Sequence, residues 1–474
     1  MKELQEILEK VKDRVTPSEE VREKLMKFSE KLLEEAKRVC ANENVEPLLV
    51  GSLVRDTWLP DKKEVDLFLL FPEDVSREEL EKKGLELGKR IIKGLGGKYS
   101  IEYAEHPYIK GFFGKFSVDI VPCYKVKSAE EIKSAVDRSP FHLKYLKERL
   151  NKKLVTEVRI LKKFLKANRL YGADAKVQGF SGYACELLVL HYRSFLGVLK
   201  AAVKWKPGEI IDMESFYKEE EYKLLRELFK NQCLILIDPT DRRRNVTAAL
   251  SCENFFRFKK LANDFLKKPS MEFFFPRSRK IKVSEIEKLI KGRGTKFVGI
   301  MFKPPNIVPD IFWPQIRRFA KRLRSMCKEK PDRFPVLGSF NYSDEKNLAL
   351  VVLELEVWEL PPIQKRKGPL VFDINDSKRF IEKYKGNAVN GPFVEENKWV
   401  VVVERKYKRI KEKLEDKLRK SEGELVEEGV PSYIAKCLVE GFKILDTKGL
   451  IKLASKNEEF SKEFYRYLNK ESLV

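Results

Sequence analysis

Histidine is nearly absent. Three in 474 residues cannot build a Cys/His zinc site on their own. Cysteine is sparse too: seven, an odd number, scattered, with no C-x-x-C pair. Reduced thiols in a cytoplasmic protein are the simplest expectation. No apolar run approaches the ~20 residues needed to cross a bilayer, and no Trp/Phe-rich amphipathic helix suggests a membrane surface. The first residues, Met-Lys-Glu-Leu-Gln-Glu, are charged and amphipathic, unlike a signal peptide. Internal repeats and low-complexity tracts are missing as well.

Negative charge is in relative deficit. Lys and Arg number 96 against 73 Asp and Glu, a net charge of +23 with a sequence pI near 9.4. A surface dense in Lys/Glu ion pairs accounts for high charge but not for that imbalance. The surplus points to a polyanionic partner, nucleic acid first. Hydrophobic content of 43% supports real cores, and the length suits two to four domains.

Residues 16–19, Thr-Pro-Ser-Glu, predict a helix start with Thr16 as N-cap and Pro17 at the first helical position. Leu25, Phe28, Leu32, Ala36 and Val39 continue it at helical spacing. Strands are predicted near 47–50, 64–71, 99–104 and 113–122, with a helix over 77–93. This is a small α/β head, bounded near residue 150. Residues 151–268 read as a helical neck, with helices over 156–168 and 183–204 and a strand over 234–237. From 269 to 474 the order is strand 296–302, helix 313–328, strands 334–342 and 348–357, helix 377–385 and strand 399–404. That β-α-β-β-α-β order is a ferredoxin-like body. Residues 361–369 read as a connector inside it. A basic helix over 406–420 and a more apolar one over 433–456 form a helical tail. The fold class is α+β, multidomain.

The most informative pattern lies in the head. Gly51-Ser52 is followed, after eleven residues, by Glu64-Val65-Asp66, and Asp119 lies in a second apolar run. Strand side chains alternate, so Glu64 and Asp66 leave a hydrophobic strand on one side. Like charges so close call for a cation between them. Hard oxygen ligands suit Mg²⁺, and Asp119 supplies a third ligand for a two-metal site. The Gly-Ser turn offers backbone N–H groups to phosphate. For any single acid, an ordinary surface carboxylate is the more common explanation. It is the joint spacing that favours chemistry.

This pattern resembles the nucleotidyltransferase superfamily related to polymerase beta. Gly51-Ser-Leu-Val-Arg-Asp-Thr-Trp58, Ala104-Glu-His-Pro-Tyr108, Asp119-Ile-Val-Pro-Cys-Tyr124, Ala135-Val-Asp-Arg-Ser-Pro-Phe-His142 and Gly179-Phe-Ser-Gly-Tyr-Ala-Cys-Glu-Leu-Leu188 are closer still to the archaeal-type (class I) CCA-adding enzymes, which are tRNA nucleotidyltransferases. Phe302-Lys-Pro-Pro-Asn-Ile-Val-Pro-Asp310 and Gly391-Pro-Phe-Val-Glu395 extend the resemblance more weakly.

The resemblance implies catalytic, metal-holding Glu64, Asp66 and Asp119, with Mg²⁺ as cofactor. It implies nucleotide contacts at Ser52, Arg55, His142, Lys162, Tyr171 and Arg244. Ser139 stands where the family often has Thr, which keeps a hydroxyl. Arg244 falls where the family reads the base, although Arg242 and Arg243 are adjacent. Implied partners are the tRNA acceptor stem and 3′ end, CTP and ATP, with a homodimer left open. Basic stretches at 317–330, 365–367 and 406–420 would meet RNA phosphates. The alternatives are a poly(A) polymerase-like or small-molecule nucleotidyltransferase, and a non-catalytic RNA-binding protein.

Overall fold

The computed structural model describes residues 2–103, 105–277 and 279–469. They fall into two compact units, one on each side of residue 278.

The first unit opens with α1 (Lys2–Val15) and α2 (Glu19–Cys40). The break between them lies two residues later than the sequence suggested. Ser18, not Thr16, caps α2, its Oγ accepting from Val21 N, while Thr16 Oγ1 bonds back to Lys12 O. A five-stranded sheet follows in the order β1 (Glu46–Val50), β2 (Glu64–Phe71), β5 (Phe116–Tyr124), β4 (Pro107–Phe113), β3 (Lys98–Tyr103). The predicted strand over 113–122 is really the second arm of a hairpin, β4–β5, that turns at Gly114 (φ +59°). Ala104, predicted to end β3, lies outside the described residues.

β2 and β5 run parallel, and β2 pairs antiparallel with β1. Helices α2 and α4 (Arg77–Gly94) cover one sheet face, burying Leu32, Leu67, Leu69, Leu87, Ile91 and Ile120. Gly84 and Gly88 let α4 approach closely, since a Cβ there would meet Pro122 at 2.6 Å and Ile109 at 2.8 Å. On the other face, Val50, Phe68, Leu70 and Cys123 meet Leu143 of α5 (Ser139–Arg149).

The rest of the unit is a Phe-rich helical core. α6 (Lys152–Ala167), α7 (Gly182–Tyr192), α8 (Phe195–Lys204) and the helix Cys252–Lys267 bury Phe164, Phe195, Phe258 and Phe265 together. The apolar stripe Ile7, Val11 and Val15 of α1 joins this core. The single helix predicted over 183–204 is two helices. Arg193 adopts φ +64°, and Ser194 caps α8 through Gly197 N. A small sheet, β6 (Glu209–Ile211), β7 (Leu234–Asp238) and β8 (Asp241–Asn245), completes the unit. β8, Asp-Arg-Arg-Arg-Asn, is too polar to announce itself as a strand. Cys233 and Cys252 are joined in a disulfide, which corrects the expectation of reduced thiols throughout; the other five cysteines are free and buried.

The second unit has a four-stranded antiparallel sheet ordered β10 (Val336–Ser343), β11 (Ala349–Leu355), β9 (Lys296–Phe302), β15 (Phe442–Leu445). This is the ferredoxin-like order, but with different closing elements from those predicted. The second helix and last strand of the motif are Ser432–Glu440 and β15. Gly441 (φ +146°) and the N-cap Asp446 break the predicted 433–456 helix, and β15 fits between them. The helix Ile374–Tyr384 and the strand β14 (Lys398–Glu404) belong instead to a separate sheet ordered β12 (Ile363–Leu370), β14, β13 (Asn390–Glu395). β12, Ile-Gln-Lys-Arg-Lys-Gly-Pro-Leu, had read as a connector because it is basic and contains Pro.

Candidate active site

β1 ends at Val50 and the chain turns at Gly51, φ +80°, into the short helix α3 (Gly51–Val54). A side chain at Gly51 is impossible twice over. The conformation is left-handed, and a Cβ would sit 1.8 Å from Asp66 Oδ2. The Gly-Ser turn is therefore folded directly over the acid pair.

Asp66 lies opposite Asp119 in the parallel β2–β5 register, and Glu64 lies two residues before Asp66. One oxygen from each of Glu64, Asp66 and Asp119 comes within 4.8 Å of the others. Burial, with Glu64 and Asp119 nearby, pushes the Asp66 carboxyl up to about 6. Asp119 is raised for the same reasons, burial first and then Glu64. For Glu64 burial is outweighed by Lys62 and Lys110, and its carboxyl is lowered.

Lys110, on β4 opposite Asp119, puts Nζ 2.9 Å from Glu64 Oε1 and 3.2 Å from Asp119 Oδ1. Asp119 Oδ1 is nonetheless buried without a hydrogen bond. Three converging hard oxygen donors, with only lysine ammonium groups between them, fit a divalent cation.

Beside this cluster lies a second, fully buried one. Glu186, on α7, is 0% exposed. It accepts from the Thr57 hydroxyl, from Lys162 Nζ at 3.0 Å, and from Arg55 Nε at 3.1 Å and Nη2 at 3.0 Å. Burial opposes its charge, but Arg55 and Lys162 overcome it and hold the carboxyl at about 2. Lys162 donates also to Thr57 O at 3.1 Å and Thr57 Oγ1 at 3.0 Å, so its three protons are all committed. Burial lowers its pKa despite Glu186.

Tyr171 and the N-terminus of α7 adjoin this network. A Cβ at Gly182 would lie 3.1 Å from the Tyr171 hydroxyl and 3.6 Å from Lys162 Nζ. Ser181 caps that helix through Ala184 N. Ser52 is half-buried in α3, its carbonyl accepting from Thr57 N at 2.9 Å.

The third group centres on Asp238, at the end of β7. His142 Nε2 is 2.9 Å from Asp238 Oδ2, and Arg244 Nη1 donates to the same oxygen at 2.7 Å. The His142 ring stacks on Tyr183 with centroids 3.8 Å apart. Arg242, by contrast, lies over the Tyr217 ring, and Arg243 reaches Glu130 O. Of the three neighbouring arginines, only Arg244 joins His142.

The structure thus brings all nine expected residues into three adjoining groups. Sequence reasoning missed Lys110, Thr57, Glu186 and Asp238 as participants. Glu186 had a readable signal: it is the lone acid in the otherwise apolar helix Gly-Tyr-Ala-Cys-Glu-Leu-Leu-Val-Leu-His-Tyr.

Residues 25–142 match a family model described as a nucleotidyltransferase domain. Residues 156–275 match the second domain of tRNA nucleotidyltransferase, and 293–446 match the C-terminal domain of CCA-adding enzyme. The CCA-adding enzyme of Methanocaldococcus jannaschii is 39% identical over 438 residues, covering 91% of this chain and 94% of that one. This chain belongs to the CCA-adding enzyme family. The enzyme of Archaeoglobus fulgidus is 38% identical over 85% of this chain and 87% of its own, and that of Methanosarcina mazei 36% over 96% and 95%. The family's three domain models fall on the sheet with the acids, on the Phe-rich helical core and on the second unit, in that order.

Proposed function

We propose that this protein adds CCA to the 3′ end of tRNA, drawing on CTP and ATP without a nucleic-acid template. The observation that carries the reading is the in-register trio Glu64, Asp66 and Asp119 beneath the Gly51 turn, within a chain related over most of its length to CCA-adding enzymes. In the reaction the RNA 3′-hydroxyl attacks the α-phosphate in line and pyrophosphate leaves. Glu64, Asp66 and Asp119 would hold divalent ions, Mg²⁺ in this reading, which would supply Lewis acidity to the hydroxyl and to the phosphate oxygens.

The chain's own groups bind and orient. Backbone N–H groups of the turn at Ser52, the N-terminus of α7, Arg55 and the Tyr171 hydroxyl face the triphosphate. Lys162 acts from behind: with its protons committed, it contributes charge and fixes Glu186, which in turn fixes Arg55.

Arg244 reads the base. Cytosine N3 and adenine N1 are acceptors, whereas uracil N3 and guanine N1 carry protons. A guanidinium, all donor, distinguishes the two pairs with one contact. We read the sheet that carries the acids as the head, the helical core as the neck completing the nucleotide pocket, and the basic second unit as the part that grips the acceptor stem.

The test is incorporation on tRNA lacking its 3′ CCA, with CTP and ATP supplied singly and together. The expected result is two C additions with CTP alone, full CCA with both, and none in EDTA. Long homopolymer tails, or addition to a small acceptor but not to tRNA, would sink the reading.

A further inference from the structure

Asp238 has no part in the chemistry just described, yet five donors converge on its fully buried carboxylate. Oδ1 accepts from the Tyr183 hydroxyl at 3.0 Å, Thr240 N at 2.9 Å and Thr240 Oγ1 at 2.8 Å. Oδ2 accepts from His142 and Arg244. Burial would raise its pKa, but His142, Thr240 and Arg244 outweigh burial and hold it below the usual carboxylate range. An ionised carboxylate only accepts, so the hydrogen-bond network assigns the His142 proton to Nε2. Three elements meet on this one side chain: α5 through His142, α7 through Tyr183 and β8 through Arg244.

The consequence falls on Arg244. A guanidinium can offer a pair of parallel N–H groups along more than one edge. Asp238 takes Nη1. Among the described residues, Nε and Nη2 of Arg244 hold no hydrogen bond. The side chain is 33% exposed and lines a cavity of about 700 Å³ with Arg138, Ser181 and Asp241. The hairpin beneath is clamped. Asn245 accepts from Leu236 N and donates to Leu234 O, both at 2.9 Å, and the Cys233–Cys252 disulfide closes the segment.

We infer that Asp238 is a positioning residue for nucleotide selection: it occupies Nη1 of Arg244 and so commits the Nε–Nη2 edge to the incoming base. This rests on the reading of Arg244 as the base-reading residue. An arginine free to rotate would meet acceptors and protonated ring nitrogens from many angles, with water bridging the poor fits. Held by Asp238, it presents one edge in one place, so a base with a proton at the contacted nitrogen meets a donor it cannot escape. Asp238 touches neither substrate nor metal ligands. Its effect should therefore appear in the ratio between nucleotides more than in turnover.

The experiment measures kcat/KM for CTP, ATP, UTP and GTP on tRNA lacking CCA, using the full chain. Asp238→Asn keeps size and one acceptor but replaces the Arg244-facing oxygen or forces it to compete. The CTP-to-UTP ratio should fall by about tenfold or more, as expected for loss of a bidentate base contact. Adding Arg244→Ala in that background should lower the ratio by less than about twofold further, because both changes remove the same contact. If the two losses instead multiply, Asp238 does not act through Arg244 and the inference is overturned.

If Arg244→Ala alone leaves the ratio intact, the base-reading assignment falls and takes this inference with it. If Arg244→Ala lowers the ratio and Asp238→Asn does not, only this inference falls. Should Asp238→Asn fail to fold, Tyr183→Phe decides. It removes one donor to Oδ1 and should lower the same ratio by a few-fold; an unchanged ratio overturns the proposal.

Discussion

Two clusters of buried charge adjoin each other in the first unit, and they are completed to different degrees. Around Glu186 the carboxylate is fully partnered: it accepts from Thr57, Lys162 and Arg55 and is held at about 2. Around Asp66 three carboxylates face two lysines, and one acid is pushed up to about 6. Burial acts on both. The difference is whether the protein itself supplies the compensating charge. A saturated carboxylate serves to position the cations around it, here Lys162 and Arg55. An unsaturated cluster, on a rigid sheet, is a place prepared for an ion the chain does not carry.

The comparison breaks most visibly if the unsaturated cluster is emptied. Replacing Glu64, Asp66 or Asp119 with Ala should lower nucleotide addition by roughly a thousandfold or more, since metal-ion catalysis is worth several kcal/mol at ~1.4 kcal/mol per decade. RNA affinity should stay within about twofold, because phosphate contacts lie with basic residues elsewhere. Single-turnover incorporation and filter binding check both. One of these variants with near wild-type turnover would remove its residue from the metal site.

Emptying the saturated cluster should act on stability, as well as on the Arg55 that Glu186 positions. Glu186→Gln leaves Lys162 and Arg55 buried without their counter-charge and should cost roughly 3–5 kcal/mol. The pH dependence has a definite sign. The folded pKa of Glu186 is about 2, below its ordinary 4.5, so its stabilisation is complete above pH 4.5 and is lost as pH falls towards 2. The gap in melting temperature between wild type and Glu186→Gln should therefore narrow steadily below pH 5. A gap constant down to pH 3 would mean the carboxylate is not the ionised partner assumed here.

Of these two clusters, one was legible in the sequence and the other was not. Glu64, Asp66 and Asp119 could be found because strand alternation and a fixed offset from Gly51 are local properties. The pairs Lys110–Glu64, Thr57–Glu186 and Arg55–Glu186 could not be read, since their members lie 46, 129 and 131 residues apart. The same holds for the fold. β2 and β9 were placed to the residue, as apolar strands with clean edges. Assigning β14 to its sheet failed, because its partner β12 is basic, contains Pro and resembles a linker. β8 failed likewise, although it carries Arg244. Periodicity reports apolar faces; functional strands made of Arg, Asp and Asn have none.

A smaller effect is expected where the binding site meets the base. Arg244→Ala should reduce discrimination against UTP and GTP by about 1–3 kcal/mol, roughly 5- to 150-fold. Arg242→Ala and Arg243→Ala should leave it nearly unchanged, since those side chains are turned to Tyr217 and Glu130. Nucleotide-by-nucleotide kcat/KM separates the three, and a loss confined to Arg242 or Arg243 would move the base-reading role.

The smallest effect sharpens the comparison most, because it tests why the acid cluster is stable before an ion arrives. Lys110 bridges Glu64 and Asp119, and those carboxylates raise its pKa although burial works the other way. An ammonium in that position competes with a divalent cation for the same oxygens. Lys110→Met removes the competitor. The Mg²⁺ concentration giving half-maximal thermal stabilisation should fall by up to about fivefold, the value of roughly 1 kcal/mol for a partly exposed pair. Without divalent ions the variant should melt lower than wild type, since three carboxylates then share Lys62 alone. The two shifts have opposite signs in one melting experiment, which a general loss of packing cannot reproduce. If the Mg²⁺ midpoint rises instead, Lys110 orients the carboxylates for the ion rather than standing in its place.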